Sequence, residues 1–308
     1  MSVIVVGTMA FDEIETPFGK SGKIIGGSAT FIAWTAANFV QPINQISVVG
    51  GDFPQADMNA LAAKGVALEG VQIKKDRPSF YWAGKYHMDM NTRDTLVTEL
   101  NVLGDFQPEV PESYQGSEFL VLGNLSPQVQ ISVINQLRER PKLIVLDTMN
   151  FWMETAMDDL KKVLTMVDVL LVNDGEARQL SGEYSLVKAA RKILTMGPPL
   201  PDHQRKESTV HCCSMRTTCS LHLPLPLEDV FDPTGAGDTF AGGFIGHLAK
   251  TKDISFENMK TAIIVGSAMA SFCVEKFGTG RLREITQEDI SARLEQFVEL
   301  VNFDIDLV

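Results

Sequence analysis

The residues best suited to chemistry in this 308-residue chain fall in one run, Asp232-Pro233-Thr234-Gly235-Ala236-Gly237-Asp238-Thr239-Phe240-Ala241-Gly242-Gly243-Phe244. Pro233 restricts the backbone before a turn, and Gly235 and Gly237 permit tight geometry that other residues resist. From about Ala236 the pattern becomes helical, so the unbonded amides of a first helical turn would point outward. Amides at the positive end of a helix suit the negative charge that develops on a transferring phosphoryl group. A carboxylate inside that turn, Asp238, would face the same pocket and could accept a proton from an attacking hydroxyl. A lone Gly-x-Gly-Asp would more readily be a plain helix start with its acid on the helix dipole. The full run is far more specific. Ala241, Gly242 and Gly243 predict that this helix packs close to a sheet.

Chemistry of this kind needs a scaffold that brings separate segments together. The runs Ile4-Val5-Val6, Ile46-Ser47-Val48-Val49, Phe119-Leu120-Val121-Leu122, Leu143-Ile144-Val145-Leu146 and Val169-Leu170-Leu171-Val172 read as buried strands. They are followed by Gly7, Gly50, Gly123, Asp147 and Asn173. Continuous rather than alternating apolar runs suit a parallel sheet covered on both faces. Helical patterns lie between them, for example over 128–138 and 154–166. The expected fold is α/β, a doubly wound, mainly parallel sheet with helices on both faces. Ligands in such sheets sit beyond the carboxyl ends of the strands, which makes the residues just named candidates by position. Residues 8–22 and 78–104 break the alternation and predict strands outside the main sheet, a small β lid inserted into a single domain spanning 1–308.

The run from Asp232 to Phe244 resembles the carboxy-terminal signature of the ribokinase-like, or PfkB, family of carbohydrate kinases. The resemblance implies that Gly235, Ala236 and Gly237 form an anion hole and that Asp238 is the catalytic base. Thr234 would lie beside the nucleotide. Asn173-Asp174-Gly175-Glu176 is similar to the family's N-x-x-E motif. An Asn and a Glu three apart at a strand end can hold a hydrated Mg2+ through water, although a helix-capping motif reads the same way. Upstream, Asp12 resembles the family's acceptor-binding aspartate, and Gly26-Gly27-Ser28-Ala29 its diglycine turn. Gly50-Gly51-Asp52 resembles the next glycine-acid corner. A carboxylate beside an accessible turn suits vicinal hydroxyls, whose two donors it can accept. Asn150 occupies another family-like position, but Trp152 stands where an arginine is often found. Phe277-Gly278-Thr279-Gly280 resembles the loop bordering the nucleotide, or equally a helix C-cap. The resemblance implies ATP and Mg2+ as cofactors, a monovalent cation such as K+ near Asp232, and a small sugar as acceptor, with a nucleoside as the alternative. Phe80, Tyr81, Trp82, Tyr86 and His87 in the lid could stack on a purine, cover a sugar face, or simply pack as strands do. A ligand-binding relative without catalysis is the reading from a different class, and retention of Asp238 weighs against it.

The bulk composition agrees with a small-molecule enzyme. A formal net charge of −12 argues against non-specific nucleic-acid binding, which needs clustered Lys and Arg. No window is long and apolar enough for a bilayer span, and the chain opens directly on a strand, so a cytoplasmic protein is expected. Exposed lid strands would invite pairing of two chains into a homodimer. The stretch 198–224 reads differently from the rest. It holds Cys212, Cys213, Cys219, His203 and His211 where the family places apolar strands and a glycine turn. With suitably chosen codons, Ser208 to Ser214 read one nucleotide earlier gives Glu-Tyr-Gly-Ala-Leu-Leu-Phe, which would restore that pattern. The two readings are a shifted reading frame and a divergent insertion loop. Neither treats these cysteines and histidines as a metal site.

Overall fold

The computed structural model describes residues 2–197, 209–211 and 225–301. Eleven strands are present among them: β1 (Val3–Val6), β2 (Ala10–Thr16), β3 (Gly19–Gly26), β4 (Ile43–Gly50), β5 (Val66–Lys74), β6 (Phe80–Tyr86), β7 (Arg93–Glu99), β8 (Phe119–Leu122), β9 (Leu143–Asp147), β10 (Val169–Leu171) and β11 (Thr209–His211). Seven form the central sheet in the order β11-β10-β9-β8-β1-β4-β5. Each neighbouring pair runs parallel. Strand β1 lies between β4 and β8, with Val3 opposite both Ile43 and Phe119.

The uninterrupted apolar strands explain this arrangement. Val3 and Val5 pack into a core with Phe31, Ile32, Phe244 and Phe272 on one face, while Ile4 and Val6 pack with Leu160, Val163 and Ile193 on the other. Each such side chain, fully removed from water, contributes roughly 1.5–3 kcal/mol. The chain leaves β1 towards β4 on one side, and β8 lies on the other. That reversal of direction opens a crevice at the carboxyl ends of the strands. The pattern over 154–166 predicts one helix, but there are two, Asn150–Thr155 and Met157–Leu164. Ala156 separates them with φ −143° and ψ 34°, outside helical geometry.

A second sheet has the order β3-β2-β6-β7. Here β2 pairs antiparallel with β3 and parallel with β6, and β6 pairs antiparallel with β7. Strand β3 runs on to Gly26 because Ile24 and Gly26 continue the ladder opposite Asp12 and Ala10. Asp12 also stands opposite Trp82, and Tyr86 opposite Arg93. Residues opposite each other in a ladder share a face, and residues two apart return to it. Asp12, Phe80, Trp82, Tyr86 and Arg93 therefore lie along one face. The outer strand β7 is exposed along its whole length.

Within the anomalous stretch, residues 209–211 form β11 beside β10. The rest of 198–224, and with it most of the shifted-frame reading, lies outside the described residues. Among the described residues no helix is long and apolar enough to cross a membrane.

Candidate active site

The loop that opens the Ala236–Thr251 helix is shaped by two residues. Asp232 is fully buried, and its carboxylate accepts the Thr234 N–H at 2.9 Å on one oxygen and the Gly278 N–H at 3.0 Å on the other. It thereby ties the 277–280 loop to the helix start. Gly278 has φ +57°, which suits glycine. Gly235 is the helix N-cap at φ +79°, and a Cβ there would lie 2.6 Å from the Phe31 ring. Only glycine fits both conditions. The Ala236 N–H donates to the Pro233 carbonyl at 3.2 Å, and the Thr239 N–H to that of Gly235 at 2.8 Å.

Past this turn the helix is held closely by two other helices. A Cβ at Gly242 would lie 2.7 Å from the Ile32 carbonyl, and one at Gly243 would lie 2.9 Å from Gly266. The small residues therefore seat this helix against the Ser28–Ala36 and Phe256–Cys273 helices. The helix also lies close to strands β8 and β9 of the sheet, as expected, while these two glycines themselves meet helices.

A cavity of about 680 Å³ opens at this helix start, lined by Thr234, Gly235, Ala236, Gly237 and Asp238 together with Asn173 and Glu176. The Asp238 Oδ1 is closed off from solvent and has no hydrogen-bond partner among the described residues. Burial, with the charge of Glu176 second, raises the Asp238 carboxyl to about 7, while Arg93 pulls the other way. Asp147 is raised well above the usual carboxylate range by burial and then by Asp238 and Glu176. Glu176 is raised by burial, against the opposing Asn173 N–H and Arg93.

Asn173 and Glu176 form a reciprocal capping box on the Asp174–Ser181 helix. Asn173 Oδ1 accepts the Glu176 N–H at 2.9 Å, and Glu176 Oε2 accepts the Asn173 N–H at 2.9 Å. The box engages one carboxylate oxygen, and both residues still line the cavity. Capping and ligand handling are thus compatible in one tetrapeptide.

Asp12, Gly26 and Gly27 make a second cluster that does not line this cavity. Burial and then the charges of Asp232 and Asp238 raise the Asp12 carboxyl to about 7, with the Gly27 N–H lowering it. A Cβ at Gly26 would lie 1.8 Å from Asp12 Oδ2, and one at Gly27, at φ +94°, 2.5 Å from the Thr8 carbonyl. Both glycines are needed for the approach of backbone to carboxylate. Asp12 and Asp238 thus feel each other's charge although 226 positions separate them in the sequence. Asn150 and Gly278 are not brought to the cavity wall. The Asn150 side chain donates to Gln179 Oε1, and the Gly278 amide is taken by Asp232.

Several wall residues were not singled out as site residues from the sequence. Asn124 lines the cavity, and its position just beyond strand β8 was the available signal, whereas Asp147, the last residue of β9 and a candidate by position, lines it as expected. Arg93 also lines it, as the single basic side chain to do so among the described residues. No local pattern marks Arg93, because it reaches the cavity only through the pairing of β7 with β6. Tyr86, its cross-strand neighbour, accepts the Thr234 hydroxyl at 3.2 Å and so ties the second sheet to the helix-start loop.

This wall fits the groups that a nucleotide-dependent transfer requires. Asp147, Glu176 and Asp238 place three carboxylates on one cavity against one arginine, an imbalance that a divalent cation would relieve. Among the described residues no three acidic, His or Cys side chains stand close enough to hold a metal directly, so water would complete its shell. Leu225, Leu227, Val230, Ala270 and Val274 also line the cavity and give it an apolar surface that suits a flat base.

Comparison with known proteins agrees with this geometry. The family described as "pfkB family carbohydrate kinase" matches residues 4–285. The chain is 26% identical over 260 residues to a cytidine kinase of Thermococcus kodakarensis, covering 82% of this chain and 91% of that protein. It is 22% identical over 306 residues to a nucleoside kinase of Methanothermobacter thermautotrophicus, covering 90% of each. The nucleoside kinase of Methanocaldococcus jannaschii, an archaeal member of the ribokinase family, superposes with a TM-score of 0.72 at 18% identity over 96% of this chain and 98% of that one. A fructokinase of Vibrio cholerae superposes with a TM-score of 0.75 at 17% identity over 95% and 98%. The fold is therefore ribokinase-like. Because the family match takes in the parallel sheet, the second sheet and the loop that seats Asp238, the chain belongs to the PfkB family of carbohydrate kinases and is a phosphotransferase.

Proposed function

We propose that the chain transfers the γ-phosphoryl group of ATP to a primary hydroxyl of a nucleoside, with Asp238 as general base. The observation that carries the mechanism is the Asp238 carboxylate, unpartnered at Oδ1 and placed in the first turn behind Gly235, Ala236 and Gly237. The acceptor O–H gives its proton to Asp238, its oxygen bonds to the γ-phosphorus, and the bond to the β–γ bridging oxygen breaks to release ADP. The helix-start amides meet the charge that develops on the phosphoryl oxygens, and Arg93 adds a fixed positive charge beside them. Mg2+, when bound through water near Asn173 and Glu176, supplies neutralisation of the phosphate charge. A monovalent cation, K+, beside the buried Asp232 is part of this proposal. Pairing of two chains along the exposed strand β7 is a further part.

A nucleoside is favoured over a free sugar by the second sheet. Trp82 and Phe80 share the face that carries Asp12, so hydroxyl recognition and a stacking surface lie side by side. The names of the cytidine and nucleoside kinases among the relatives point the same way. A free sugar, which the sequence puts first, is the second reading, supported by the match to the fructokinase. The test is ATP consumption with Mg2+ across nucleosides, pentoses and hexoses. We expect kcat/KM at least tenfold higher for a nucleoside than for any free sugar. A free sugar preferred by that margin would replace the acceptor assignment, and turnover with none would remove the kinase activity proposed for this chain.

The acidity of Asp238 sets the pH dependence. A base held at about 7 is protonated and idle below that value. The kcat/KM is expected to fall about tenfold per pH unit below about 7 and to level off above it. A profile flat down to pH 5 would show that Asp238 does not accept the proton.

A further inference from the structure

One part of the cavity lining holds an arrangement that the mechanism does not use. The Trp152 indole N–H donates to Asn124 Oδ1 at 2.8 Å, and Asn124 Nδ2 donates to the Met149 sulfur at 3.0 Å. Asn124 and Met149 line the cavity beside Arg93, Asp147 and Asn173. An indole nitrogen can only donate, so it dictates which end of the Asn124 amide is oxygen. The amino end is consequently the one left to other partners. There it finds a thioether, a weak acceptor that satisfies an amide donor poorly. Trp152 is itself held in place by Phe151, edge to face with ring centroids 4.8 Å apart.

We propose that Asn124 donates to a phosphate oxygen of the nucleotide and that Trp152 is the positioning residue that keeps its amino group available. The charged groups on the cavity are three carboxylates, which repel phosphate, and one arginine, so a neutral donor of fixed orientation has particular value there. Trp152 thus has a defined task at the place where an arginine is often found in the family. The naming of the ligand rests on the kinase reading, whereas the indole-amide geometry stands apart from it.

The test measures ATP binding in the presence of Mg2+ by calorimetry, alongside steady-state KM values for ATP and acceptor. The variants are Trp152→Phe, which removes the N–H and keeps a ring, Asn124→Ala, and the two combined. Each single variant is expected to weaken ATP binding about 5- to 10-fold with the acceptor KM unchanged, and the double variant should be no weaker than Asn124→Ala alone. A double variant whose loss is the product of the two singles would mean that Trp152 acts by packing, and would overturn the proposal. So would unchanged ATP affinity in Trp152→Phe, or a change confined to the acceptor KM. Should Trp152→Phe not fold, Asn124→Asp decides the matter. It keeps an oxygen for the indole and loses the donor, so ATP affinity must fall at least as far as in Asn124→Ala. Absence of ATP binding to the unaltered chain would sink the kinase reading as a whole, an outcome separate from any pattern among the variants.

Discussion

Asp238→Asn is expected to lower kcat by about 10³-fold while acceptor binding stays within about threefold, since general-base catalysis contributes roughly 10²–10⁴. The amide keeps the shape of the carboxyl and its place in the first turn, so only proton acceptance is removed. Steady-state kinetics together with acceptor binding measured by calorimetry separates the two effects. A loss of less than tenfold would assign the proton to another group. A second signature follows from linkage. The folded Asp238 carboxyl is raised to about 7, above its ordinary value of 3.8, so the folded state holds a proton that the unfolded chain has lost. Stability then declines as pH rises between those two values, because the charged form is the one that burial penalises. The asparagine variant does not carry that penalty. It should melt above the parent at pH 8, and its advantage should shrink towards pH 4. An advantage independent of pH would contradict the burial of this carboxylate.

Gly235→Ala is the second large effect expected. The residue sits at φ +79°, and its Cβ would lie 2.6 Å from the buried Phe31 ring. A left-handed non-glycine residue costs of order 1–3 kcal/mol, and overpacking a comparable amount. A loss of about 3 kcal/mol, or roughly 4–6 °C in Tm for a chain this long, is expected. The kcat should fall at least tenfold as well, since relief of the clash displaces the helix-start amides. Gly237→Ala is the internal control, because a Cβ there meets nothing within 4 Å and its φ is not positive. Its Tm should stay within about 2 °C of the parent. Equal destabilisation by both substitutions would show that the Phe31 contact is not what requires glycine at 235.

The contrast between these two glycines marks a boundary in what the sequence discloses. The Pro-Thr-Gly-Ala-Gly-Asp order shows that a turn leads into a helix, and the helix does begin at Ala236. It does not show which glycine meets a neighbour, since Phe31 belongs to a helix some two hundred positions earlier. The same holds for Gly242 and Gly243 beyond, whose near neighbours Ile32 and Gly266 lie on distant helices.

The sequence by itself determined the features set by local periodicity and turn chemistry. Unbroken apolar runs specify buried parallel strands, since a strand covered on both faces has no polar side to present. Asn173 and Glu176, three apart, specify their own capping box. Tertiary structure alone decided the approach of Asp12 to Asp238, the entry of Arg93 from strand β7 and the hydrogen bond from Trp152 to Asn124. Each joins residues on different elements, and their meeting depends on sheet order and register, to which the chemical identity of either partner gives no clue. Burial is what raises the Asp12 and Asp238 carboxyls to about 7, and burial belongs to the assembled fold.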